Sequence, residues 1–179
     1  MAKLFDSLTE KHQAFIQKQN MFTVATAMKD GRINISPKGM DTFKVLSENK
    51  VIWLNLTGSG NETAIHIASH DRMTIMFSSF DVLPLILRLY GHAKAHHRGG
   101  ELFEQYIHHF PNYSGARQII EVDIDLVQTS CGYAVPHMVF KGERETLEIA
   151  LAKKEELGIE SYWKEKNAQS IDGFRSEVY

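Results

Sequence analysis

The chain has 179 residues, 43% hydrophobic and 23% charged, which suits one globular domain over 1–179 with a sizeable core and excludes a disordered polymer. A formal charge of −2 gives no basic face for nucleic acid, and the single cysteine, Cys131, excludes both an intramolecular disulfide framework and a CxxC metal site. No run approaches the roughly 18 apolar residues that span a bilayer and no apolar signal core opens the chain, so a cytoplasmic protein without a membrane partner is expected.

Ser7-Leu8-Thr9-Glu10 has the pattern of a capping box, and Leu8, Phe15 and Ile16 share an apolar face, which predicts a helix over about 6–19. Met21 to Met28 reads as a strand, Lys29-Asp30-Gly31 as a hairpin turn, and Arg32 to Lys38 as an alternating strand. In that strand Ile33 and Ile35 fall on one face and Arg32, Asn34 and Ser36 on the other, with Pro37 near the end because a proline inside a central strand loses a ladder bond. Phe43 to Leu46 and the apolar run Val51 to Leu56 give two further strands. A short helix over 62–69, a buried strand over 72–79, a long strand over 87–96 and a helix over 101–109 follow. The last long strand, 117–128, carries Ile120, Val122, Ile124 and Leu126 on one face. Two charged helices, 143–157 and 160–169, make a C-terminal helical segment over about 143–169. Antiparallel strands with helices at the edges predict a mainly β protein, a small barrel with peripheral helices.

The chemistry concentrates where the Val51–Leu56 strand runs out. Thr57-Gly58-Ser59-Gly60-Asn61-Glu62-Thr63 is a glycine and hydroxyl loop between a strand and a helix start, where unpaired backbone N–H groups suit a phosphate. Asn34-Ile35-Ser36-Pro37-Lys38-Gly39 places a lysine at the end of a neighbouring strand. Lys38 and the Ser59–Thr63 bend are therefore expected to converge on one phosphoryl group of a nucleotide-like cofactor.

With this order of elements, the strings 34–39, 57–63 and Arg88-Leu89-Tyr90-Gly91 resemble the pyridoxamine 5′-phosphate oxidase-like family of FMN-binding split barrels. Ser130 to Pro136 and Lys166 to Gly173 are similar to the C-terminal signature of an uncharacterised bacterial branch of that family. The resemblance implies a homodimer with FMN in clefts between the subunits. It puts Lys38 at a phosphate-binding position, with Ser59 and Asn61 where the family has a serine followed by a basic pair; here Gly60 and Asn61 replace that pair. Thr57 opens that loop, Thr63 adds a hydroxyl, and Arg32 or Arg88 offers a compensating cation. The segment Ile33–Ser36, with Asn34, Ile35 and Ser36, and the strand carrying Asn55 can give hydrogen bonds to the flavin's pyrimidine edge and N5.

The implied activity is an FMN-dependent oxidoreductase acting on a small organic substrate, with no side chain assigned as catalytic. The alternative is a non-catalytic or sensing module of the same fold that holds flavin, haem or deazaflavin. Vitamin B6 oxidases carry an Arg-x-His pair near the C-terminus that grips the substrate phosphate. This chain has Lys166-Asn167 and Ser170-Ile171-Asp172-Gly173 there, so turnover of pyridoxamine 5′-phosphate is not expected.

The remaining candidates have plainer readings. His92 and His96 lie roughly 13 Å apart at strand rise, too far to share one ion, and His108 and His109 are expected to point apart, so no metal site is assigned. Cys131 reads as a buried thiol before a reactive one. His66 either lines the cleft or faces the core, and Trp163 either covers the cofactor, seals the dimer or docks on the barrel.

Overall fold

The computed structural model describes residues 2–176, 178 and 179, apart from the side chains of 155–157. In chain order the elements are β1 (Lys3–Phe5), α1 (Glu10–Gln17), β2 (Phe22–Thr26), β3 (Asn34–Lys38), β4 (Phe43–Val45), β5 (Lys50–Leu56), α2 (Glu62–Ser69), β6 (Arg72–Ser78), β7 (Leu85–His97), α3 (Glu101–Tyr106), β8 (Ala116–Cys131), α4 (Thr146–Ala152) and α5 (Glu155–Lys166). The strands form one antiparallel sheet in the order β3-β2-β6-β7-β8-β5-β4, and β1 pairs β8 at Lys3↔Thr129. The sheet curls into a half-barrel whose unpaired edges are β3 and β4.

Strand alternation explains the curl. Phe22 and Val24 of β2, Ile75 and Phe77 of β6, Leu87 and Leu89 of β7, and Ile120 and Val122 of β8 meet Trp53 of β5 in one interior core. The run Val51–Leu54 is apolar throughout because β5 is buried on both faces. Val51 and Trp53 face the interior, and Ile52 and Leu54 pack outside with Ile119, Phe103 and Phe110. A third cluster, Leu151, Ile159 and Trp163, docks α4 and α5.

Several expectations need correction. The first helix is 10–17, and its box belongs to Thr9 and His12: Thr9 Oγ1 accepts from the His12 N–H and His12 Nδ1 accepts from the Thr9 N–H. Ile35 of β3 and Ile33 just before it do lie on one side, and that side is outward: they are 67% and 71% exposed. Pro37 does fall near the end of its strand, as the penultimate residue of β3, which is also an edge. Leu126 leaves the core because β8 bulges: Tyr90 pairs Leu126 while Gly91 pairs Ile124, so Asp125 is extra and Val127 takes the inward place. The C-terminal segment is two helices as expected, but with other bounds, 146–152 and 155–166, and the break at Lys153–Lys154. Cys131 is exposed, and the His108 and His109 rings, on a 3₁₀ turn, lie 4.4 Å apart and do not point away from each other. Among the described residues, no helix is long and apolar enough to cross a membrane.

Candidate functional site

Where β3, β5, the 57–61 loop and the start of α2 meet, they enclose a cavity of about 300 Å³. Asn34, Ser36 and Lys38 reach it from alternate positions of β3 and Asn55 from the end of β5. Ser59, Asn61 and Thr63 approach from the loop and the first turn of α2. The expected convergence of Lys38 and Ser59 on one space is thus present. Ile35 points to the opposite face of β3. Thr57, Arg88 and Trp163 do not line the cavity: Arg88 Nη1 donates to Ser130 Oγ at 3.1 Å, and Trp163 Nε1 donates to Thr57 Oγ1 at 2.9 Å behind the loop. Trp163 is therefore a docking residue for α5.

Arg117, at the head of β8, also lines the cavity, and the sequence reading passed over it. It is 2% exposed, its Nη1 donates to Gly60 O at 3.1 Å and to Asn167 Oδ1, and its Nε has no partner. Among the described residues no carboxylate pairs with Arg117 or Lys38. Burial lowers Arg117 to about 10; burial, then the Arg117 charge, lowers Lys38 to about 8. Two partly dehydrated cations facing one space without a counter-charge favour an anion there. The one carboxylate lining it, Glu62, is turned aside: Oε1 accepts from the Ile171 N–H at 2.9 Å and Oε2 faces His66. The signal that could have found Arg117 is that it is the lone cation of its strand, placed shortly before the apolar pair Ile119–Ile120.

A directional chain of amides runs behind the cavity. Lys38 Nζ donates to Asn55 Oδ1 at 3.3 Å, Asn55 Nδ2 to Gln118 Oε1 at 2.8 Å, and Gln118 Nε2 to Asn61 Oδ1 at 3.1 Å. An ammonium can only donate, so it fixes the orientation of every carboxamide after it. The chain ends by leaving Asn61 Nδ2 buried, unpartnered and on the cavity wall. Asn61 is the N-cap of α2 but its side chain does not cap the helix, so the positive end of α2 adds its field to the same space.

Other titratable groups are engaged elsewhere. Asp71 beside His92 holds its imidazole above the usual histidine range, and His96 Nε2 lies 3.3 Å from Glu121 Oε2. Among the described residues no group of three His, Cys, Asp or Glu side chains lies close enough to hold a metal ion. His66 is 1% exposed and faces Thr26 in the interior.

Comparison with known proteins gives the fold its relatives. The protein-family model described as pyridoxamine 5′-phosphate oxidase matches residues 8–131. The pyridoxamine 5′-phosphate oxidase family protein ustO of Aspergillus flavus is 34% identical over 191 residues, covering 97% of this chain and 77% of the relative. Among solved structures, a Lactobacillus delbrueckii protein provisionally named a pyridoxamine 5′-phosphate oxidase has a TM-score of 0.57 at 17% identity, covering 69% of this chain and 94% of its own. HupZ of Group A Streptococcus gives 0.53 at 20%, covering 66% and 91%. Those likenesses identify the half-barrel as a split barrel. From residue 8 to the end of β8, and across nearly the whole length shared with the Aspergillus relative, the chain belongs to the pyridoxamine 5′-phosphate oxidase family.

Proposed function

We propose that this protein is an FMN-binding flavoprotein and an oxidoreductase acting on a small organic substrate. The observation that carries this is the donor set of the β3–β5–α2 cavity: Lys38, Arg117 and the orphaned Asn61 Nδ2, with no carboxylate among the described residues paired to either cation. These residues fit a phosphate monoester. Arg117 and Asn61 supply what the missing Arg-Lys pair would have supplied, and Ser59 and Thr63 add hydroxyls. When bound, the flavin supplies the redox step; the chain holds the phosphate and orients the cofactor. We also infer a homodimer with the cofactor between subunits, since Ile35 of the strand that lines the cavity and Ile33 just before that strand stand exposed.

Pyridoxamine 5′-phosphate is not the substrate in this proposal. The C-terminal segment that would need a free cation is occupied with packing. Asn167 is fully buried against Arg117 and Gly58 O, and Asp172 accepts from the Arg32 N–H at 2.7 Å.

The test is a fluorescence titration of purified protein with FMN, with an absorption spectrum of whatever co-purifies. Saturable quenching, lost in Lys38→Glu with Ser59→Ala, supports the proposal; a protein that ignores FMN sinks it. Flavin that binds but is reduced by neither NADH nor NADPH favours the binding-module alternative.

A further inference from the structure

A second hydrogen-bond chain enters the same cavity from the opposite side, and it starts at a histidine that the cofactor reading leaves unused. Asn34 Nδ2 donates to Thr63 Oγ1 at 3.2 Å and to Thr26 Oγ1 at 3.3 Å, while Ser36 Oγ donates to Asn34 Oδ1 at 3.1 Å. Thr26 Oγ1 in turn lies 3.2 Å from His66 Nδ1, and His66 Nε2 lies 3.6 Å from Glu62 Oε2. Thr26 and His66 are buried, at 3% and 1% exposure, and neither His66 Nε2 nor Glu62 Oε2 has a hydrogen-bond partner.

Proton counting fixes the direction of this chain. The Thr26 hydroxyl accepts from Asn34, so its single hydrogen is free for His66 Nδ1. A ring nitrogen facing a carboxylate oxygen must carry hydrogen, because two lone pairs would repel. Both conditions select one arrangement: the proton on Nε2, directed at Glu62, and a bare Nδ1 that accepts from Thr26. Were the proton on Nδ1, the Thr26 hydrogen would have no acceptor among the described residues and the Nε2 lone pair would oppose Glu62.

We propose that His66, held by Glu62, is a positioning residue that sets the orientation of the Asn34 carboxamide. With Nδ2 committed to Thr26 and Thr63, the Asn34 Oδ1 and Ser36 end presents acceptors to the cavity. The cavity then has two poles, an anion pole at Lys38, Arg117 and Asn61 and an acceptor pole at Asn34 and Ser36. A ligand that satisfies both carries a phosphate and, a short distance along, hydroxyl or N–H donors. The inference deepens the proposed function and rests on its cavity, but the tautomer of His66 does not depend on which ligand binds.

Two measurements test it. In ¹⁵N-labelled protein without added ligand, NMR should place the His66 proton on Nε2; a proton on Nδ1 overturns the proposal. Asparagine puts its Oδ1 near the place of histidine Nδ1, so His66→Asn keeps an acceptor for Thr26, whereas His66→Leu keeps only bulk. Titrated with FMN, His66→Leu should bind roughly tenfold more weakly and His66→Asn within about twofold of the parent. Equal losses in the two variants would mean that His66 only fills space, and would overturn the proposal. Should the parent protein ignore FMN, the flavin assignment fails by itself, and the tautomer measurement still decides the role of His66.

Discussion

Lys38 Nζ stands 5.1 Å from the centre of the Trp53 ring, so the ammonium at the mouth of the cavity rests on the aromatic face that roofs the interior core. The contact is a cation–π pair, and together with the Asn55 carboxamide it supports a charge that no carboxylate among the described residues neutralises. The core and the cavity therefore share one wall.

The first expectation concerns pH. Burial and Arg117 lower Lys38 to about 8, so the free cavity loses a cation as pH rises through about 8. A bound phosphate favours the charged amine, so affinity for FMN should fall with pH above about 8, and binding between pH 8 and 9 should take up a proton. Calorimetry in buffers of different ionisation enthalpy reads this uptake. The sign for stability is opposite. Between about 8 and the ordinary lysine value of 10.5 the unfolded chain holds more protons than the folded one, so this group makes the ligand-free protein more stable as pH rises across that window. Lys38→Met should remove both effects.

Arg117 offers the next. Removing it takes away a charge and the fork that holds Gly60 O and Asn167. Arg117→Ala should weaken FMN binding by roughly 30-fold, about 2 kcal/mol for a charge-assisted contact. Arg117→Lys should recover only part of this, because an ammonium cannot serve two acceptors in the plane of a guanidinium. Parallel fluorescence titrations check it.

Trp163 separates docking from binding. Trp163→Phe removes the Nε1–H to Thr57 Oγ1 and leaves the ring contact with Tyr179, whose centre is 5.7 Å away. The cost should be about 1 kcal/mol in urea unfolding, while FMN affinity stays unchanged, because Trp163 does not line the cavity. A tenfold loss of affinity would put the indole on the cofactor after all.

Gly91 should not tolerate a side chain. A Cβ there would lie 2.1 Å from Asp123 O, backbone that cannot step aside within a paired strand. Gly91→Ala should cost at least about 3 kcal/mol or abolish soluble expression, by the mechanism of overpacking. Gly58→Ala, where the nearest atom is 4.0 Å away, is the control and should fold normally.

The elements whose periodicity is strong were legible in the sequence. β5 announced itself as a run apolar on both faces, and α2 begins and ends at the residues expected, 62 and 69. Lys38 and Ser59 were legible as residues facing one space because chemistry and position coincide, a cation closing an alternating strand and a hydroxyl in the loop after an apolar one, whereas Asn61 came from the family resemblance. The alternation of Ile33 and Ile35 against Asn34 and Ser36 was legible too, but which side is solvent was not: β3 is an edge whose polar side carries the cavity, so the isoleucines face outward. Failures came where tertiary context decides. Leu126 was misplaced by one residue because the bulge opposite Gly91 depends on a partner strand more than thirty positions away. Arg117 was missed because its meaning lies in Gly60 and Asn167, contacts that no local pattern encodes. β1 is three residues long and exists through its pairing with β8.

Pro37 sits in the rim strand β3 opposite Thr23 of β2. Its imide nitrogen cannot donate, so β3 has one backbone donor fewer than its length would give. A foreign strand trying to zip onto this rim would find a five-residue template whose fourth position carries no N–H. A proline so placed disfavours extension of the sheet by another polypeptide. The same imide guards the protein against growing into fibrils.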